Sequence, residues 1–80
     1  MTEDTPTPTP PDTLREIVAA NIRVEAARAG LNITALGELT GHGRHWVDRR
    51  WHARHDFSLD DIDELAAAIG CSTNSLTHRP

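Results

Sequence analysis

The 80-residue chain sets eight arginines and no lysine against twelve acidic residues, for a net charge of −4. A chain of this length forms one small domain that buries only roughly 60% of its unfolded surface, so its core is thin and there is no room for a second domain. A single cysteine, Cys71, excludes an internal disulfide framework, and no apolar run is long enough for a signal or membrane span, so a soluble cytoplasmic protein is expected.

Residues 1–11, MTEDTPTPTPP, combine Glu3 and Asp4 with prolines and threonines and hold no apolar stripe. That composition predicts a disordered acidic tail, with the domain proper over residues 12–80. The first helix begins near Thr13, because Thr13 and Glu16 have the spacing of a capping box in which each side chain satisfies the other's backbone donor. Leu14, Ile17, Val18, Ile22 and Ala26 recur at three- and four-residue steps as one apolar stripe. Gly30 closes the helix, and Leu31 folds back onto it. Glu25 lies near the buried edge, either as a solvated charge or paired with an arginine of the third helix.

The stretch Asn32 to Trp51, NITALGELTGHGRHWVDRRW, reads as a helix-turn-helix. Counting Ile33 as its first position, the fifth is Gly37, where only a small residue lets two helices cross closely. The ninth is Gly41, which supplies the left-handed turn conformation that a Cβ resists. Leu36 and Val47, at the fourth and fifteenth positions, face the joint. Asn32 caps the second helix, Ile33 to about Thr40, whose N-terminus is a candidate anion clamp through its N–H groups and dipole. Gly43 caps the third helix, Arg44 to about His52, and a connecting loop follows to Phe57, which plugs into the core. Ser58 and Asp61 repeat the capping-box spacing, and Leu59, Ile62, Leu65, Ala66 and Ile69 give the stripe of a fourth helix closed by Gly70. Asp60, Asp61, Asp63 and Glu64 make its other face acidic. A short last helix runs from Thr73 to about His78, anchored by Leu76, and Cys71 reads as a small buried apolar residue.

The net acidity argues against nucleic acid until the charges are placed along the chain. Between His42 and His55 lie Arg44, Arg49, Arg50 and Arg54 against Asp48 alone, a local balance of +3 that leaves −7 for the rest. A basic face on an acidic body is a nucleic-acid-binding pattern.

On NIR at Asn21 to Arg23, ARAGL at Ala27 to Leu31, ELTG at Glu38 to Gly41, WVDRRW at Trp46 to Trp51 and SLDDIDELAAAIG at Ser58 to Gly70, the chain resembles the Cro/repressor-like (lambda-repressor-like) helix-turn-helix family of bacteria and their phages. The resemblance covers about three quarters of the chain, from Ile17 to Leu76. It implies an all-α, compact four- to five-helix domain whose third helix enters the DNA major groove. Carried onto this chain, it makes Arg44, His45, Asp48 and Arg49 the base-reading residues. Arginine grips guanine O6 and N7 with both arms, and Asp48 accepts from cytosine N4 or holds an arginine in its reading rotamer. Asn32, Thr34, Gly43, Arg50, His52 and Arg54 become the phosphate contacts, with His55 beside them in the loop.

Three positions depart from the family pattern. Ile33 stands where a glutamine often braces the phosphate, which leaves Thr34 to replace part of that contact. His42 sits where an apolar residue usually seals the turn. Arg50 occupies a normally apolar position, which Trp51 takes over while Arg50 lies on its aliphatic stem with its head toward Glu25 or a phosphate. Trp46 and Trp51 pack rather than stack on bases.

No glycine-rich phosphate loop, nucleophile motif or carboxylate pair suggests an enzyme, and no cofactor is expected. His42 with His45 and His52 with His55 have a spacing short enough for metal, but the pairs straddle a helix and no second cysteine assists, so no metal site is expected. The reading is a double-stranded DNA-binding regulator, a Cro-like repressor pairing as a weak or DNA-assisted homodimer in a bacterial or phage setting, with no membrane. The alternative is a helix-turn-helix interaction module that has exchanged DNA for a protein partner.

Overall fold

A computed structural model describes residues 13–79, and the expected tail at residues 1–11 lies outside them. Five helices and no strand make up the described residues: α1 Leu14–Ala29, α2 Ile33–Thr40, α3 Arg44–Trp51, α4 Leu59–Ile69 and α5 Thr73–Thr77. None is long and apolar enough to cross a membrane.

Each helix starts where a side chain satisfies an orphan backbone donor, except α3. The Thr13 hydroxyl accepts from the Glu16 N–H at 3.2 Å while the Glu16 carboxylate accepts from the Thr13 N–H at 3.2 Å. Ser58 and Asp61 repeat the exchange at 3.0 and 3.1 Å. Asn32 and Ser72 cap α2 and α5 from one side, accepting from Ala35 and Ser75. Gly43 caps α3 with no side-chain bond, at φ 90° and ψ 166°, a conformation that a Cβ would resist.

The core is a single cluster drawn from all five helices: Val18, Ile22 and Ala26 of α1, Leu36 of α2, Val47 of α3, Ile62, Leu65 and Ala66 of α4, and Leu76 of α5. Leu31, Trp46, Trp51, Phe57 and Cys71 pack around its edge, as the sequence leads one to expect. Burial, and then the negative charge of Glu25, push the Cys71 thiol above its ordinary value, so it behaves as a neutral packing group. Asn21 ties α1 to the chain's end, its amide donating to the carbonyls of Leu76 at 2.9 Å and His78 at 3.0 Å.

Three expectations need correction. Leu14 and Leu59 are 50% and 85% exposed and do not belong to the core stripes. Each opens its helix, and the buried face begins one turn further in, at Ile17 and Ile62. Glu25 pairs with Arg28, one turn along its own helix at 3.1 Å, and not with an arginine of α3.

α3 also ends by a route the sequence does not advertise. The N–H of Ala53 donates to Arg50 O at 3.1 Å and that of Arg54 to Arg49 O at 2.8 Å, the two bonds of a Schellman turn. That turn needs a left-handed residue, and Ala53 fills the place at φ 56° where glycine is usual. Ala53 is the one non-glycine residue at positive φ among those described. Its Cβ strains the native state by roughly 1–2 kcal/mol, whereas glycine adds unfolded-chain entropy worth roughly 0.5–1 kcal/mol. Ala53→Gly should therefore stabilise the domain by about 0.5–1 kcal/mol and raise its melting temperature by roughly 3–6 °C in a thermal melt. A lower melting temperature would refute the strain.

Candidate nucleic-acid interface

α2 and α3 meet across Gly37. A Cβ built there would stand 2.5 Å from Gly43 C and 2.6 Å from Arg44 N, so only a hydrogen lets the start of α3 lie on α2. The Gly43 N–H donates to Gly37 O at 3.1 Å and holds the contact. Gly41, at φ 79°, makes the left-handed reversal between the helices, and Val47 is buried beneath. These are the roles the spacing of the motif predicts.

With α3 held so, Arg44, His45 and Arg49 are exposed and Asp48 is half-buried. Spaced by three and four residues, they share one face of the helix. His52 continues that face, with Nε2 3.5 Å from Asp48 Oδ1. Arg54 and His55 lie exposed in the following loop.

The N-terminus of α2 opens beside this face onto a concavity of about 360 Å³ whose lining includes Asn32, Thr34, Arg44, Trp51 and Arg23. Asn32 spends its side-chain oxygen on the Ala35 N–H and keeps its amide group for other partners. Arg23, within the NIR tripeptide, also lines the concavity. Its guanidinium donates to the Trp51 carbonyl and so joins α1 to the last turn of α3. Nothing in helical spacing signals a partner that distant in the chain.

Two expected phosphate contacts are engaged elsewhere. The Gly43 N–H is consumed by Gly37 O, and glycine has no other donor. Arg50 is 6% exposed, its Nε donating to Asp61 Oδ2 at 3.1 Å and its Nη1 to Trp46 O at 3.2 Å. Its head turns to neither Glu25 nor the solvent-facing side. A buried arginine needs a carboxylate, and Asp61 of α4 supplies it.

His42 and Arg50, two of the three departures from the pattern of the family the chain resembles, form one structure with Trp46. The His42 ring stacks on Trp46 with centroids 4.1 Å apart and planes 17° from parallel, and the Arg50 guanidinium covers Trp46 at 3.9 Å. Carboxylates of α4 hold both ends: His42 Nε2 donates to Glu64 Oε1 at 2.6 Å, and Arg50 reaches Asp61. Among the described residues no group of three or more His, Cys, Asp and Glu is arranged to hold a metal ion.

No family model matches the chain, and no curated protein matches it. Solved structures do. A hypothetical transcription factor, NHTF from Neisseria, superimposes with a TM-score of 0.83 at 28% identity, over 95% of this chain and 90% of that one. The clp gene regulator ClgR of C. glutamicum gives 0.77 at 21% identity, over 82% and 86% of the two chains. The restriction-modification controller protein C.AhdI of Aeromonas hydrophila gives 0.70 at 24%, over 79% and 92%. The fold is thus one that transcription regulators use, shared over 79% to 95% of this chain and 86% to 92% of theirs.

Asp61 carries a pH dependence of its own. Burial pulls its carboxyl upward, but the Ser58 N–H, the Arg50 guanidinium and the Ser58 hydroxyl outweigh it and hold the group below an ordinary aspartate. A carboxyl lowered by folding stabilises the native state above its unfolded value of about 3.9, and that stabilisation is lost as pH falls through the folded value. Asp61→Asn should be less stable than the wild type at pH 7, on the order of 2–3 kcal/mol, because it leaves the Arg50 charge buried without a counter-ion. The gap should begin to narrow as pH falls to the unfolded value of about 3.9 and go on narrowing below it in urea melts, as the folded wild type protonates Asp61. A constant gap would refute the assignment.

Proposed function

We propose that this chain is a sequence-specific double-stranded DNA-binding transcription regulator, a Cro-like repressor that docks α3 in the major groove of an operator and excludes polymerase by occupying it. The observation that carries this reading is the continuous surface made by the exposed face of α3 and the start of α2. Arg44, His45, Asp48 and Arg49 stand together there beside Asn32 and Thr34. On this reading the four α3 residues contact bases. Asn32 and Thr34, with the N–H groups of the first turn of α2, clamp one phosphate; His52 and Arg54 reach the next stretch of backbone. Arg23 joins the first clamp from α1. The names of the neighbouring structures, a transcription factor, a gene regulator and a controller protein, support a regulatory role, as does the basic run from His42 to His55. Pairing is a weak or DNA-assisted homodimer on a palindromic site.

A second reading, a protein-interaction module on the same scaffold, draws on the net charge of −4 and on Leu39, 58% exposed on α2. The deciding experiment is a selection of binding sites from random duplex DNA at low and physiological salt. A recovered consensus, above all a palindrome with half-sites about one helical turn apart, supports the regulator; recovery of nothing at either salt favours the module.

The division of contacts has its own test. Arg44→Ala or Arg49→Ala should cost roughly 1–3 kcal/mol on the selected site and relax preference at one base pair. Arg54→Ala should weaken all duplexes alike and flatten the dependence of affinity on salt by about one unit of slope. Equal effects from all three in a titration series would overturn the division.

A further inference from the structure

We propose that the His42–Trp46–Arg50 stack, held at both ends by carboxylates of α4, is a positioning device that fixes the roll of α3 about its own axis and thereby sets how sharply the helix discriminates among DNA sequences. The proposal rests on the DNA-binding reading above. It concerns residues outside the contact surface.

The geometry of α3 divides its circumference into three parts. Val47 and Trp51 face the core cluster. Arg44, His45, Asp48 and Arg49 face outward. Trp46 and Arg50, one turn apart, line the flank between them, His42 of the preceding turn stacks on Trp46, and the His42 and Arg50 side chains reach α4. Val47 is the single fully buried apolar residue that α3 gives the core. The Gly43 N–H on Gly37 O and the Arg23 guanidinium on the Trp51 carbonyl hold the two ends of α3 by backbone atoms near its axis, which fixes where the helix sits more firmly than its roll.

The stack adds a restraint on roll from the side. Trp46 is clamped between two flat groups, His42 at 4.1 Å and Arg50 at 3.9 Å. Neither clamp is loose, since Glu64 anchors the first at 2.6 Å and Asp61 the second at 3.1 Å, one turn apart on α4. Asp61 is itself fixed by its capping exchange with Ser58. The brace thus has two attachment points on a rigid helix, which is what it takes to resist rotation.

Base reading and phosphate binding depend on roll to different degrees. Bidentate hydrogen bonds from an arginine to guanine demand alignment of both partners. Phosphate attraction is long-ranged and comes from α2, α1 and the loop as well as from α3. A freed roll therefore lowers discrimination while leaving general DNA affinity nearly intact. A loss of fold would instead lower both together.

The test compares the affinity of the intact chain for its selected duplex with that for a random duplex of equal length at one salt concentration. Trp46→Ala should cut the ratio about tenfold while the random-duplex affinity changes by less than about twofold, and Trp46→Phe, which restores a flat ring between the clamps, should return most of it. Glu64→Gln, a change on the exposed rim of α4, gives a second route if Trp46→Ala does not fold: it should cut the ratio about threefold at an unchanged melting temperature. An unchanged ratio in either folded variant, or a parallel loss on both duplexes, overturns the positioning role. Equal affinity of the wild type for both duplexes overturns the DNA-binding reading instead, and this inference with it.

Discussion

The distance between α2 and α3 is set by a missing methyl group. With hydrogen at Gly37, the backbone of residues 43 and 44 comes close enough for the Gly43 N–H to reach the Gly37 carbonyl at 3.1 Å. The start of α3, and with it the base of its exposed face, takes its position from that contact. The first residue of the exposed face, Arg44, is one of the two whose backbone would collide with a Cβ at residue 37. Overpacking at such a point has no flexible side chain to absorb it, only backbone.

Close approach on one side leaves the other side of α3 to be sealed, and the chain does this with polar residues. His42 and Arg50, which depart from the pattern of the family the chain resembles, sandwich a tryptophan and reach across to carboxylates of α4. The arrangement differs energetically from an apolar plug. An apolar plug is non-directional and tolerates sliding, whereas stacked planes and charge-assisted hydrogen bonds have preferred geometry. The cost is desolvation of Arg50, offset by Asp61, which also caps α4. One carboxylate thus joins the start of one helix to the flank of another.

Much of this architecture is legible in the sequence because local rules carry it. The capping pairs Thr13 with Glu16 and Ser58 with Asp61, and the closing glycines 30, 41 and 70, act within a few residues of themselves, and all are found where spacing places them. The end of α3 is less legible, since its left-handed residue is Ala53 and carries no glycine signal. Leu14 and Leu59 fit the period of their helices but sit where the buried face has not yet begun, and periodicity alone does not mark that edge. The destination of Arg50 required knowing which element lies across from α3. Its misfit was visible as a charge in an apolar position, but Asp61 already had a local explanation as a cap. Arg23 was hidden for the same reason: its partner, the Trp51 carbonyl, is a backbone atom twenty-eight residues away and leaves no trace in composition.

The acidic residues of α4 have a consequence for how the molecule travels. Asp60, Asp63 and Glu64 are exposed on one helix, while the arginines and histidines of α3 and its loop are exposed on another. Charge separated in this way gives the domain an electric moment larger than its net charge suggests, and in the field of a polyanion it turns the molecule before contact is made. Collisions in the wrong orientation are repelled rather than trapped, so fewer encounters are wasted. On the proposed DNA-binding reading, the exposed carboxylates of α4 repel a second duplex while the basic surface holds the first, which works against bridging of strands.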